Sequence, residues 1–112
     1  MNQRGSTLDI DPRILARLNC PLEEIQKLCR KFHVIELSVF GSVVRDDFKQ
    51  SSDIDFLVLI EPNVSMGYFE FFDFEEELSQ LVGRKIDAVS KKWMRPRFRD
   101  VAVPQSRVIY AA

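Results

Sequence analysis

Asp53 and Asp55 stand two residues apart, and a Gly-Ser step at Gly41-Ser42 precedes them by ten intervening residues. In an extended strand, side chains two residues apart point to the same side, so the two carboxylates must project together. Two like charges held that close require a cation. Gly41 permits a tight turn with close backbone approach, and the amides that follow, opening a short helix, can cradle a phosphate. A phosphate cradle facing a carboxylate pair suits a nucleoside triphosphate held through Mg²⁺, and so points to phosphoryl-type chemistry.

The flanking segments must bring these groups together. Ile35 to Phe40 reads as a strand, Val43 to Asp47 as a short helix or turn, and Asp55 to Ile60 as a second strand. The apolar run after Asp55 predicts a central strand covered on both faces. Residues Tyr68 to Val82 read as a helix with Phe71, Phe74, Leu78, Leu81 and Val82 on one stripe and Gly83 placed to end it. Lys85 to Ser90 is a third strand carrying Asp87. A helical crossover between the second and third strands makes them parallel and right-handed, which puts Asp87 near the Asp53 and Asp55 end. By contrast, the end of the first strand must lie beside the start of the second, which requires an antiparallel pair.

The remaining elements are read as supports. Residues 1–8 are polar and small, and are expected to be a frayed tail. Asp9 and Asp11 form another Asp-x-Asp, but Pro12 follows and suits the first position of a helix ending about Leu18, with Asp11 as its N-cap. Pro21 opens a longer helix with Leu22, Ile25, Leu28, Cys29 and Phe32 at helical spacing, and His33 reads as a helix-terminal or loop residue. Pro96 to about Ala102 is expected to form an arginine-rich helical turn that Pro104 breaks, before an edge strand at Val108-Ile109-Tyr110. Tyr68, Phe69 and Phe72 fall outside the stripe of their helix. They are either sandwiched under the preceding loop or exposed as an aromatic patch for a partner. Lys91, Lys92, Arg95, Arg97 and Arg99 form a solvated face or dock acidic groups, and Trp93 among them reads as core or lid.

At 112 residues the chain is expected to be one domain, in the α/β (α+β) class, with a small mixed sheet of three to four strands flanked by helices. Sixteen basic against seventeen acidic residues, a formal charge of −1, give no field to draw it onto DNA or an anionic membrane. That argues against a template-binding polymerase. No run approaches the roughly 20 apolar residues of a membrane span, and the first residues lack the apolar block of a signal peptide, so a cytoplasmic location is expected. Cys20 and Cys29 read as reduced thiols.

Gly41-Ser42, ten residues, then Asp53-x-Asp55, worded Ser52-Asp53-Ile54-Asp55, resemble the signature of the polymerase-beta-like nucleotidyltransferase superfamily. From about Pro21 onward the chain is similar to the minimal nucleotidyltransferases, antitoxin partners of HEPN-domain toxins. The resemblance implies that Asp53 and Asp55 bridge two Mg²⁺ ions, that Asp87 supplies a third carboxylate to the second ion nearest the acceptor hydroxyl, and that Ser42 meets the β- or γ-phosphate. Arg45 sits where the family commonly has an arginine, and holds either the triphosphate or acidic residues of its own loop. Asp46 departs from the glycine that often follows it. The implied activity is transfer of AMP from ATP to a tyrosine hydroxyl of a HEPN-family toxin, within a hetero-oligomer, which silences the toxin. Neutralisation by occlusion alone, and transfer to a small molecule such as an antibiotic, are the competing readings.

Overall fold

The computed structural model describes residues 9–112; the expectation for residues 1–8 lies outside them. Four helices, α1 Pro12–Leu18, α2 Leu22–Lys31, α3 Tyr68–Val82 and α4 Pro96–Gln105, accompany four strands, β1 Val34–Phe40, β2 Ile54–Ile60, β3 Ile86–Ser90 and β4 Arg107–Ala111. The strands lie in the order β3-β2-β1-β4. β1 is antiparallel to both β2 and β4, while β2 and β3 are parallel. These directions are the ones the crossover argument demands.

Alternation along β2 splits the core into two layers. Ile54, Phe56 and Val58 point into the larger one, with Leu18, Ile25, Cys29, Phe74 and Leu78 from the helices. Leu57 points into the smaller, with Phe40, Met94 and Ala102 beneath α4. Each large apolar side chain so buried contributes about 1.5–3 kcal/mol. Burial also pushes the Cys29 thiol up to about 12, and both cysteines are free.

Helix ends follow the sequence signals. The Asp11 carboxylate accepts from the Arg13 backbone amide at 2.8 Å, so this Asp-x-Asp caps α1. Gly83, at φ +69°, ends α3 with its amide donating to the Ser79 carbonyl at 2.9 Å. His33 adopts φ +60° at the turn between α2 and β1. At the free edge of the sheet, the Glu75 carboxylate accepts from the Ala88 amide at 2.8 Å and blocks edge-to-edge pairing there.

Three expectations need correction. Pro104 does not break α4, which continues to Gln105. The amide it lacks would have faced the carbonyl of exposed Asp100, which water can satisfy, and the helix ends one residue later in any case. Trp93 is not core: it is 56% exposed at the rim of a cavity, with its ring edge-on to Tyr68 and Phe71. Tyr68, Phe69 and Phe72 are 82%, 87% and 59% exposed, so the preceding loop does not cover them. That loop instead lines a cavity of about 740 Å³ with Val64, Ser65 and Met66. Among the described residues, no helix is long and apolar enough to cross a membrane.

Candidate active site

The strand register brings the chemistry into one row. Phe40 on β1 pairs with Asp55 on β2, and Asp55 pairs with Asp87 on β3. All three side chains therefore share the face that carries the smaller core layer. Asp53 lies immediately before β2, two residues from Asp55, and close enough that its charge raises the Asp55 pKa. Asp55 is half-buried, whereas Asp53 and Asp87 are exposed. They share one end of the sheet without closing into a ready-made cluster: among the described residues, no three His, Cys, Asp or Glu side chains form a group able to hold a metal ion.

Beside this row the chain turns at Gly41, at φ +76°, into a single 3₁₀ turn, Gly41–Val44. The approach is close enough that a Cβ at Gly41 would collide with the Asp55 Oδ2 atom. Only glycine lets the backbone pass there. The Gly-Ser step and the central carboxylate are thus in contact.

Electrostatics agree with the geometry. The Asp55 pKa is raised, first by burial and then by the Asp87 and Asp53 charges, with Arg45 opposing them. A carboxyl whose folded-state pKa is raised holds its proton more tightly folded than unfolded. Its stabilising contribution is therefore complete below the unfolded value of about 4 and is lost as pH rises through the folded value. In metal-free buffer, Asp55→Asn is accordingly expected to melt above the wild type at pH 7, with the gap narrowing toward about pH 4. Equal melting temperatures across that range would remove the charge crowding.

Arg45 reaches its own loop. Its Nε donates to Asp47 at 3.2 Å, while Asp46 pairs with Arg13 at 3.2 Å. Of the basic cluster, Lys91 is bound to Glu36 at 2.6 Å and Arg99 donates to the Lys91 carbonyl at 2.7 Å. Lys92, Arg95 and Arg97 are exposed.

Sequence reasoning missed the residues that hold the connector between Gly41-Ser42 and Asp53. Arg17 donates to the Val43 and Arg45 carbonyls at 2.9 and 2.7 Å. Arg84 donates to the Lys49 and Ser52 carbonyls at 3.2 and 2.8 Å. Both guanidinium groups also sit over the Phe48 ring, at 5.0 and 4.6 Å from its centroid. One signal was available: Phe48 is the only apolar residue between Arg45 and Asp53.

The 740 Å³ cavity lies elsewhere, at the C-terminal ends of β2 and β3, against Leu59, Ser90 and Trp93. The carboxylates occupy the N-terminal ends of the same strands, with Asp55 five residues from Ile60, or about 17 Å along β2.

A mixed sheet with a Gly-Ser turn ending β1 and Asp-x-Asp at the start of its antiparallel neighbour β2 is the arrangement that the sequence resemblance implied. Residues 22–110 match the nucleotidyltransferase domain family, and the chain belongs to it. The protein adenylyltransferase MntA of Thermococcus cleftensis is 38% identical over 82 residues, which are 66% of this chain and 81% of that relative. A solved minimal nucleotidyltransferase is 28% identical with a TM-score of 0.64, covering 76% of this chain and 85% of its own. A chain from the Shewanella oneidensis complex of a tri-AMPylated HEPN toxin with its MNT antitoxin shares the fold. Its TM-score is 0.63 at 18% identity, covering 88% of this chain and 73% of that one.

Proposed function

We propose that this chain is a Mg²⁺-dependent protein adenylyltransferase that moves AMP from ATP onto a tyrosine hydroxyl of a HEPN-family toxin and so acts as its antitoxin, in the cytoplasm. The observation that carries the reading is the contact between the Gly41 turn and Asp55, in register with Asp87, on one end of the sheet. Similarity to an adenylyltransferase and the fold shared with a toxin-antitoxin complex support it.

The donor set fits Mg²⁺. Asp53, Asp55 and Asp87 offer only hard oxygen ligands, and the Asp55 pKa is raised first by burial and then by the neighbouring Asp87 and Asp53 charges, a crowding that a divalent cation would relieve. Asp53 and Asp55 would hold two ions, with Asp87 completing the second. When bound, the ions supply charge neutralisation and Lewis-acid polarisation of the triphosphate. The chain's own groups do the rest. The Ser42 amide and hydroxyl hold the β- or γ-phosphate at the 3₁₀ turn, and Arg45 neutralises phosphate charge on leaving Asp47. Asp87, the carboxylate nearest the acceptor, takes the tyrosine proton as its oxygen bonds to the α-phosphorus. The bond to the β-phosphate oxygen breaks, and pyrophosphate leaves.

Intact-mass spectrometry of the HEPN toxin after incubation with this chain and ATP tests the proposal. One or more AMP increments are expected with Mg²⁺ and none with chelator. An unmodified toxin under both conditions sinks the reading. The exposed Tyr68, Phe69 and Phe72 favour a second one, in which the chain neutralises by occlusion and nucleotide is incidental.

A further inference from the structure

We propose that Arg17, Phe48 and Arg84 form a clamp that positions the loop between the phosphate cradle and the carboxylates, and that α1 is thereby part of the catalytic apparatus. The proposal rests on the adenylyltransferase reading for its kinetic consequence only. The clamp itself is a structural claim that can fail separately.

Besides these arginines, the loop from Arg45 to Asp53 is tied to the rest of the chain by the exposed Arg13–Asp46 pair at 3.2 Å. It is built from charged and small polar residues, and Phe48 is its one apolar side chain. Within it, the Ser52 hydroxyl accepts from the Lys49 amide at 2.9 Å and the Ser52 amide donates to the Lys49 carbonyl at 3.0 Å, which folds 49–52 into a turn. These bonds are local. They shape the turn but do not fix it against the sheet.

Two arginines make that connection, one from α1 and one from the turn after α3. Arg17 comes from α1, ahead of the residues that match the family domain, and takes the carbonyls of Val43 and Arg45, so it holds the exit of the phosphate turn. Arg84 follows Gly83 at the end of α3 and takes the carbonyls of Lys49 and Ser52. Ser52 directly precedes Asp53, so Arg84 holds the peptide unit from which the first carboxylate departs. The Ser79 hydroxyl, donating to the Arg84 carbonyl at 2.7 Å, fixes Arg84 in turn.

Neither arginine forms an ion pair with a carboxylate among the described residues. Both spend their donors on backbone carbonyls and their planar faces on the Phe48 ring. Each arginine reaches both of its carbonyls through a single nitrogen, Nη1, while its guanidinium carbon lies over the ring, and only a guanidinium offers a flat face to stack there. A lysine would keep the charge and lose the geometry. Two cations placed by one ring, neither of them in an ion pair among the described residues, fix the path of the loop through its backbone carbonyls.

Phe48→Leu, Phe48→Tyr, Arg17→Lys and Arg84→Lys in the full chain test the clamp. Amide hydrogen exchange over residues 43–53 is read first, with no nucleotide present. Exchange there is expected to rise about tenfold in Phe48→Leu and in both lysine variants while the strand amides stay protected, and to return toward wild type in Phe48→Tyr. With Mg²⁺, ATP and the HEPN toxin, kcat is expected to fall about 10–100-fold in the same three variants, with KM for ATP changed less than about threefold, and to recover in Phe48→Tyr. Unchanged loop exchange in Phe48→Leu overturns the clamp, and so does a kcat loss that Phe48→Tyr does not recover. A wild type that transfers nothing defeats the adenylyltransferase reading instead, and the exchange data then decide the clamp alone.

Discussion

Asp53→Asn is expected to lower AMP transfer by about 10²–10³-fold or more while leaving the protein folded and still able to bind its toxin. Asp53 is exposed and precedes β2, so the substitution removes charge without disturbing packing and should change stability by no more than about 0.5 kcal/mol. The exposed aromatic residues stand at the other end of the strands: Tyr68 packs against Trp93, which closes the 3₁₀ turn Lys91–Trp93 that follows β3. Binding through that patch and chemistry at Asp53 are therefore separable. Titration of the toxin against the variant, followed by intact-mass measurement and a ribonuclease assay, distinguishes the two readings. Tight binding with no AMP increment and an active toxin supports transfer as the means of neutralisation. Full inhibition of the ribonuclease by Asp53→Asn, with no mass increment, would establish occlusion instead.

Much of the architecture was legible because it depends on short-range patterns. Apolar runs marked β1, β2 and β3, and Gly83 marked the end of α3. The crossover rule then set the strand directions with no further information. The three carboxylates could be assigned to one end on the same grounds. Their register could not: nothing in the residues says that Phe40, Asp55 and Asp87 stand opposite one another, since register depends on how whole strands pack.

What stayed hidden depends on contacts across the chain. Arg17 and Arg45 are 28 residues apart, and a guanidinium bound to backbone carbonyls leaves no periodicity or complementary charge in the sequence. Pro104 misled because its cost depends on whether the orphaned carbonyl meets water, which is a property of the fold. Trp93 misled similarly, since large aromatic residues are usually well covered, whereas Trp93 closes the 3₁₀ turn just past the end of β3 and is 56% exposed. The exposed Trp93, Tyr68 and Phe69 place an apolar surface beside a cavity and far from the carboxylates. A partner docked there needs some other part to reach the row of acids.

Gly41→Ala is expected to reduce transfer by about 100-fold or more, and Gly83→Ala provides the comparison that shows why. Both glycines have positive φ, +76° and +69°, so an alanine at either site incurs a backbone penalty of about 1–2 kcal/mol. The two differ in what the new methyl group meets. At Gly83 there is nothing within 4 Å, and the substitution should cost stability alone. At Gly41 the methyl runs into the Asp55 carboxylate, so either that side chain or the Gly41-Ser42 backbone must move. Either movement separates the proposed phosphate cradle from the central carboxylate, and a displacement of about 1 Å at reacting groups is enough to cost 10²-fold in rate. The two variants should therefore show comparable losses of melting temperature and very different AMP transfer. A folded Gly41→Ala protein that modifies the toxin at the Gly83→Ala rate would mean that the close approach of Gly41 to Asp55 serves the fold and not the chemistry.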